Sequence, residues 1–139
     1  MKRFHSSRIV VIATIITGLL SLTAIIQAQA AGSLAVESYA ICRDVVAREP
    51  IDAGTSFPAS VGKLYCFTKI ANVKGPGRIT HVWYYGETER ARVALAVDSP
   101  SWRTCSSKII QAHEIGGWSV DVLGPGGERL LYIPFEITR

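Results

Sequence analysis

His81, Trp83 and Tyr85 alternate along the run Ile79-Thr80-His81-Val82-Trp83-Tyr84-Tyr85. In an extended chain they share one face, and Thr80, Val82 and Tyr84 share the other. Further on, Ser101-Trp102-Arg103-Thr104-Cys105-Ser106-Ser107-Lys108 sets Trp102, Ser106 and Lys108 on one face and Arg103, Cys105 and Ser107 on the other. Aromatic rings offer flat area for stacking, while Arg103 and Lys108 can hold a carboxylate, a phosphate or a sugar hydroxyl. The pattern nominates His81, Trp83, Trp102, Arg103 and Lys108 as a ligand-binding set. Packing competes with that reading, because large aromatics in mid-strand usually belong to the core, with Arg lying over their rings.

Other chemistries find less support. A hydrolase could draw on His81, Ser106 or Ser107, and Asp98 or Asp121, but no nucleophile-elbow pattern surrounds either serine. His81 and His113 sit at unrelated positions without C-x-x-C or H-x-x-H spacing, so no metal site is expected. The 11 acidic residues are spread evenly, which nominates no carboxylate pair for glycosidic cleavage. Gly75-Pro76-Gly77 and Gly124-Pro125-Gly126-Gly127 precede no helix and are not phosphate loops. No cofactor is expected, and the reading leans away from an enzyme.

The elements that must position these groups begin with a leader. Lys2, Arg3 and Arg8 form a positive n-region, Ile9 to Ile26 an uncharged apolar run, and Ala28-Gln29-Ala30 a small-x-small cleavage pattern. Residues 1–30 therefore read as a signal peptide cleaved after Ala30. An uncleaved N-terminal anchor helix is the runner-up, since the run nears the roughly 20 residues that span a bilayer. Export to the periplasm or outside the cell is expected, with membrane contact only through an uncleaved leader. The leader carries three of the chain's 15 Lys and Arg and none of its acids, leaving 12 bases against 11 acids. So balanced a remainder is no argument for nucleic acid as a partner.

Residues 31–139 suit one domain. Short runs rich in Val, Ile, Tyr and Trp alternate with Gly/Pro clusters, and no stretch keeps a 3.6-residue apolar period. About seven strands are expected, near 34–46, 63–73, 78–86, 89–98, 101–110, 117–123 and 128–138, with 49–62 an irregular connection. The fold class is all-β, an antiparallel two-sheet sandwich of immunoglobulin-like kind.

Three cysteines in an exported chain cannot all pair within one molecule. Cys42 and Cys66 fall on the first two strands, and a bridge between them would contribute about 3 kcal/mol through loop closure. Cys42–Cys66 is the expected disulfide, with Cys105 a free, mostly buried thiol.

Cys42-Arg43-Asp44-Val45 with Arg48-Glu49-Pro50, Leu64-Tyr65-Cys66-Phe67-Thr68, Thr80-His81-Val82-Trp83-Tyr84, Trp102-Arg103-Thr104 with Ser106-Ser107-Lys108, and Gly117-Trp118-Ser119-Val120 occur in that order. Together they resemble the bacterial family called Domain of Unknown Function 2914, over roughly Ala35 to Ile137. The resemblance implies a small β-rich domain, often behind a signal peptide or membrane segment, with no established activity. It carries over Cys42, Cys66, His81, Trp83, Trp102, Arg103, Ser107, Lys108 and Trp118 as motif positions. Cys105 stands where relatives commonly have an aromatic, which fits an unpaired thiol. The expected function is a non-catalytic module of the cell envelope binding a protein or polysaccharide partner. The alternatives are a hydrolase using His81 with a nearby Ser, and a purely structural domain held at the membrane by an uncleaved leader.

Overall fold

The computed structural model describes residues 34–139, so the expected leader, its anchor helix and the cleavage point after Ala30 lie outside the described residues. Among the described residues the chain is all-β. The strands are β1 (Ala35–Cys42), β2 (Asp44–Val46), β3 (Glu49–Ile51), β4 (Ser56–Pro58), β5 (Lys63–Ala71), β6 (Gly77–Tyr85), β7 (Thr88–Val97), β8 (Ser101–Ile109), β9 (Gly116–Leu123) and β10 (Arg129–Thr138), with a 3-10 turn over Ala59–Val61. They form a three-stranded sheet, β1-β5-β8, a five-stranded sheet, β4-β10-β9-β6-β7, and the two-stranded β2-β3 hairpin.

Alternation decides which side of each strand faces inward. On β10, Ile133, Phe135 and Ile137 are buried while Tyr132, Pro134 and Glu136 are exposed. On β5, Leu64, Cys66, Thr68 and Ile70 are all sealed from solvent. These inward faces meet in one sandwich-like core, to which the larger sheet adds Ile79, Trp83, Trp118, Val120 and Val122. Phe135 sits at its centre, edge-on to Phe57 and Trp83 and stacked on Trp118. Truncating such a ring typically costs about 3–5 kcal/mol.

Three details differ from the expectation. The segment 49–62 is not irregular throughout, since it supplies β3 and β4. The first strand breaks at Arg43, and the chain doubles back as the β2-β3 hairpin. Its two-residue turn, Ala47-Arg48, has φ of 51° and 62° without a glycine, so the usual hairpin signal is missing from the sequence. Finally, β4 runs parallel to β10, pairing Ser56 to Pro58 with Glu136 to Thr138, although every other pairing is antiparallel. That pairing stops short of Pro134, where a strand neighbour would find no N–H.

Candidate functional site

The expected set of five does not assemble at one place, because the pleat of β8 divides it. Ser106, Thr104 and Trp102 stand opposite Cys66, Thr68 and Ile70 of β5 and share their inward face. Arg103 stands opposite Lys69 and points away from the core, where its guanidinium bonds the Glu49 carboxylate on β3. Trp102 is half-buried against the core, and the Lys108 ammonium donates to the Ile109 carbonyl at 3.0 Å. His81 and Trp83, on the inward face of β6, are fully buried.

Two of the five therefore meet inside the protein. His81 Nδ1 lies 2.7 Å from Ser106 Oγ and Nε2 lies 3.1 Å from Thr68 Oγ1. The indole N–H of Trp83 donates to the same Ser106 oxygen at 3.0 Å. The imidazole thus ties β6 of one sheet to β5 and β8 of the other. Either neutral tautomer satisfies both hydroxyls, with one acting as donor and the other as acceptor. Burial pushes the His81 pKa down to about 4, so the ring is neutral near pH 7. Its two bonded partners are hydroxyls, and neither is the carboxylate that a Ser-His-Asp arrangement needs to hold an imidazolium.

A second polar group lies at one end of the five-stranded sheet, and no local sequence signal announced it. Glu114, in the connection between β8 and β9, is only 2% exposed. Its Oε1 accepts from Arg90 Nη2 at 2.5 Å, its Oε2 from the Gln111 N–H at 3.2 Å, and its carbonyl from the Trp118 indole at 2.9 Å. Burial alone would raise this carboxyl's pKa, but Arg90 and the Gln111 amide outweigh it and hold it below the usual range. Arg90 also lies over Tyr85 and Trp118, whose rings stack at 5.0 Å. This assembly clamps the end of the sheet.

The groups that do face outward lie on the other side of the five-stranded sheet. One row crosses four strands: Tyr132 opposite Asp121, Asp121 opposite Val82, and Val82 opposite Arg92, with Val82 itself sealed from solvent. A flanking row holds Pro134, the buried Ser119, Tyr84 and Glu89. On the other flank stand Arg129, Leu123, Thr80 and Ala94. Tyr132 keeps 52% of its surface exposed, with the Arg129 guanidinium 5.7 Å from its ring. Asp121 Oδ1 is shielded from solvent yet has no hydrogen-bond partner, and Arg129 Nη1 stops 3.7 Å away. The alternation of Trp118, Val120 and Val122 implied an opposite face carrying Ser119 and Asp121. Which face met water was the missing information.

A family model described as Protein of unknown function (DUF2914) matches residues 76–137. That segment belongs to this family. No curated protein matches the chain. The DUF2914 match runs from β6 almost to the end of β10, so it takes in the outward face of the larger sheet apart from β4, together with His81, Trp83 and Ser106. It begins later than the resemblance read from the sequence, and the motifs around Cys42 and Cys66 lie ahead of it.

The disulfide expected between Cys42 and Cys66 is not formed: Cys42, Cys66 and Cys105 are all free thiols. In the register of β1 and β5, Cys42 stands opposite Tyr65 and Cys66 opposite Ile41. The two sulfurs therefore leave opposite faces of one sheet, and a bridge would need a slip of one residue that inverts every side chain of β1. Burial raises the pKa of all three thiols. A hollow of about 320 Å³, lined by Leu34, Val73, Gly75, Pro76 and Pro125 among others, lies at the β5–β6 turn and contains none of the expected site residues.

Proposed function

We propose that this protein is an exported, non-catalytic module of the bacterial cell envelope that binds a protein or glycan-like partner. The observation that carries the reading is a division of labour between faces. The groups that could do bond-making chemistry, His81 and Ser106, are closed inside the core and satisfied by each other and by Thr68. The hydrogen-bonding and aromatic groups of Tyr132, Tyr84, Asp121, Arg92 and Arg129 decorate an outward sheet face. Export rests on the leader pattern at 1–30.

We read the fold more closely as an immunoglobulin-like sandwich. Lettering the seven long strands A to G in chain order, the smaller sheet is A-B-E and the larger runs G-F-C-D. This differs from the constant-type ABED and CFG sheets only in the transfer of strand D. The buried Trp83 on the third of these strands fits the same plan.

The test is capture. The full chain, expressed with export and purified as the cell leaves it, is immobilised and challenged with envelope extract from the same cells. Retention of a specific component, lost on Tyr132→Ala or Asp121→Ala with melting temperature unchanged, supports the binding reading; no retained component sinks it. The hydrolase alternative has one observation in its favour, the 2.7 Å contact of His81 with Ser106. It requires that contact to open to solvent, and rapid labelling of Ser106 by a fluorophosphonate in the folded protein would support it.

A further inference from the structure

We propose that the outward face of the five-stranded sheet around Asp121 and Tyr132 binds an uncharged glycan chain. The proposal rests on the binding reading above and names both the site and the ligand chemistry.

The first argument is an unmet acceptor. A carboxylate only accepts hydrogen bonds, and Asp121 Oδ1 receives none: Arg129 Nη1, at 3.7 Å, is near enough for an ion pair but beyond hydrogen-bond length. An acceptor shielded from water and left without a hydrogen bond is costly, so its complement is a group that brings donors. The Asp121 side chain is 17% exposed, which leaves a ligand a way in beside Arg129, itself a well-exposed side chain.

The second argument is the aromatic surface. Tyr132 stands directly opposite Asp121 on the neighbouring strand, so ring and carboxylate are adjacent. Tyr132 stands at the β10 end of the row, where β4 no longer pairs, and its exposed ring, flanked by Arg129, offers flat apolar area for the C–H face of a sugar while its neighbours take the hydroxyls. Tyr84 and Thr80, both half-buried, extend the hydrogen-bonding capacity on either side of the row.

Charge then selects among donors. The patch holds two bases, Arg92 and Arg129, and two acids, Glu89 and Asp121, with Arg92 paired to Glu89 at 2.7 Å and Arg129 more loosely to Asp121 at 3.7 Å. A basic peptide meets two guanidinium groups here and a polyanion meets two carboxylates, whereas a neutral polyhydroxylated chain meets no unfavourable charge. Four strands span about 14 Å at the usual strand spacing. A face of that width suits an extended polymer better than a single small ring.

The experiment is affinity electrophoresis of the full chain, purified as the cell leaves it, in native gels containing dextran, hydroxyethylcellulose, laminarin or galactomannan. Alginate and soluble poly-L-lysine serve as the charged comparisons. At least one neutral polymer should retard the protein. Tyr132→Ala and Asp121→Ala should each weaken that retardation by about tenfold or more. Tyr39→Ala, which removes another exposed ring on the other sheet, should leave it unchanged. Retardation by no neutral polymer overturns the proposal, and so does retardation that survives both Tyr132→Ala and Asp121→Ala. Melting curves of the variants show that they are folded. If envelope proteins are captured while every neutral polymer passes, the binding reading stands and the glycan assignment falls. If neither is retained, both fall.

Discussion

His81 on β6 and Ser106 on β8 are hydrogen-bonded at 2.7 Å across the interior, a contact that joins the three-stranded sheet to the five-stranded one. Ser106 also accepts from the Trp83 indole, so one hydroxyl satisfies two buried ring nitrogens. Ser106→Ala should leave both without that partner and destabilise the protein by about 1–3 kcal/mol, read as a lower urea midpoint at unchanged slope. A loss within a few tenths of a kcal/mol would mean that the network contributes little.

Acid should loosen the same contact. The His81 pKa falls from 6.5 when unfolded to about 4 when folded, so the fold favours the neutral ring. The associated stability is fully present above pH 6.5 and is lost progressively as pH drops from 6.5 towards 4, about 3 kcal/mol in all. Glu114, whose carboxyl is held below its ordinary 4.5, adds its own loss only at lower pH. Denaturant melts across this window should show the slope in the wild type and not in His81→Gln. A flat profile in the wild type would remove the assignment.

The Arg90–Glu114 pair should be energetically coupled. Glu114 is almost wholly buried, but Arg90 is 30% exposed, so screening reduces the pair below a fully buried one. A double-mutant cycle with Arg90→Met and Glu114→Gln should return about 1–2 kcal/mol of coupling. Additive single losses would show that the clamp rests on the aromatic rings alone.

Thiol chemistry should follow the strand register. Alkylation of the denatured, unreduced protein should label Cys42, Cys66 and Cys105, and in the native state only the half-buried Cys105 should react readily. Detection of a Cys42–Cys66 bridge by mass spectrometry would require β1 to sit one residue out of its described register.

The β2-β3 turn should accept glycine. Arg48 has φ of 62° without glycine's freedom, so Arg48→Gly should raise stability by about 1 kcal/mol. An unchanged or lower melting temperature would indicate that Arg48 makes up the difference elsewhere.

Much of this architecture is legible in the residues themselves. Strict alternation in Ala91 to Val97 and Leu131 to Ile137 marks strands without any tertiary information, and the glycine-rich turns bound them. The short β3 and β4 were hidden because Glu49 to Pro58 carries two prolines and no alternation long enough to register. The Ala47-Arg48 turn lacked the residues that its geometry normally demands.

Alternation along a strand separates two faces and leaves open which of them meets water. From local pattern alone His81, Trp83 and Tyr85 were therefore separable from Thr80, Val82 and Tyr84, and all-β character and the DUF2914 resemblance followed from the same runs. Only the pairing of β6 between β7 and β9, under the smaller sheet, decided that His81 and Trp83 face the core. The same pairing turned Tyr84 outward and set it near Asp121 and Tyr132, residues far apart along the chain. Register likewise put Cys42 and Cys66 on opposite faces of adjacent strands. Spacing in sequence cannot encode that, because it depends on how one strand aligns with the next.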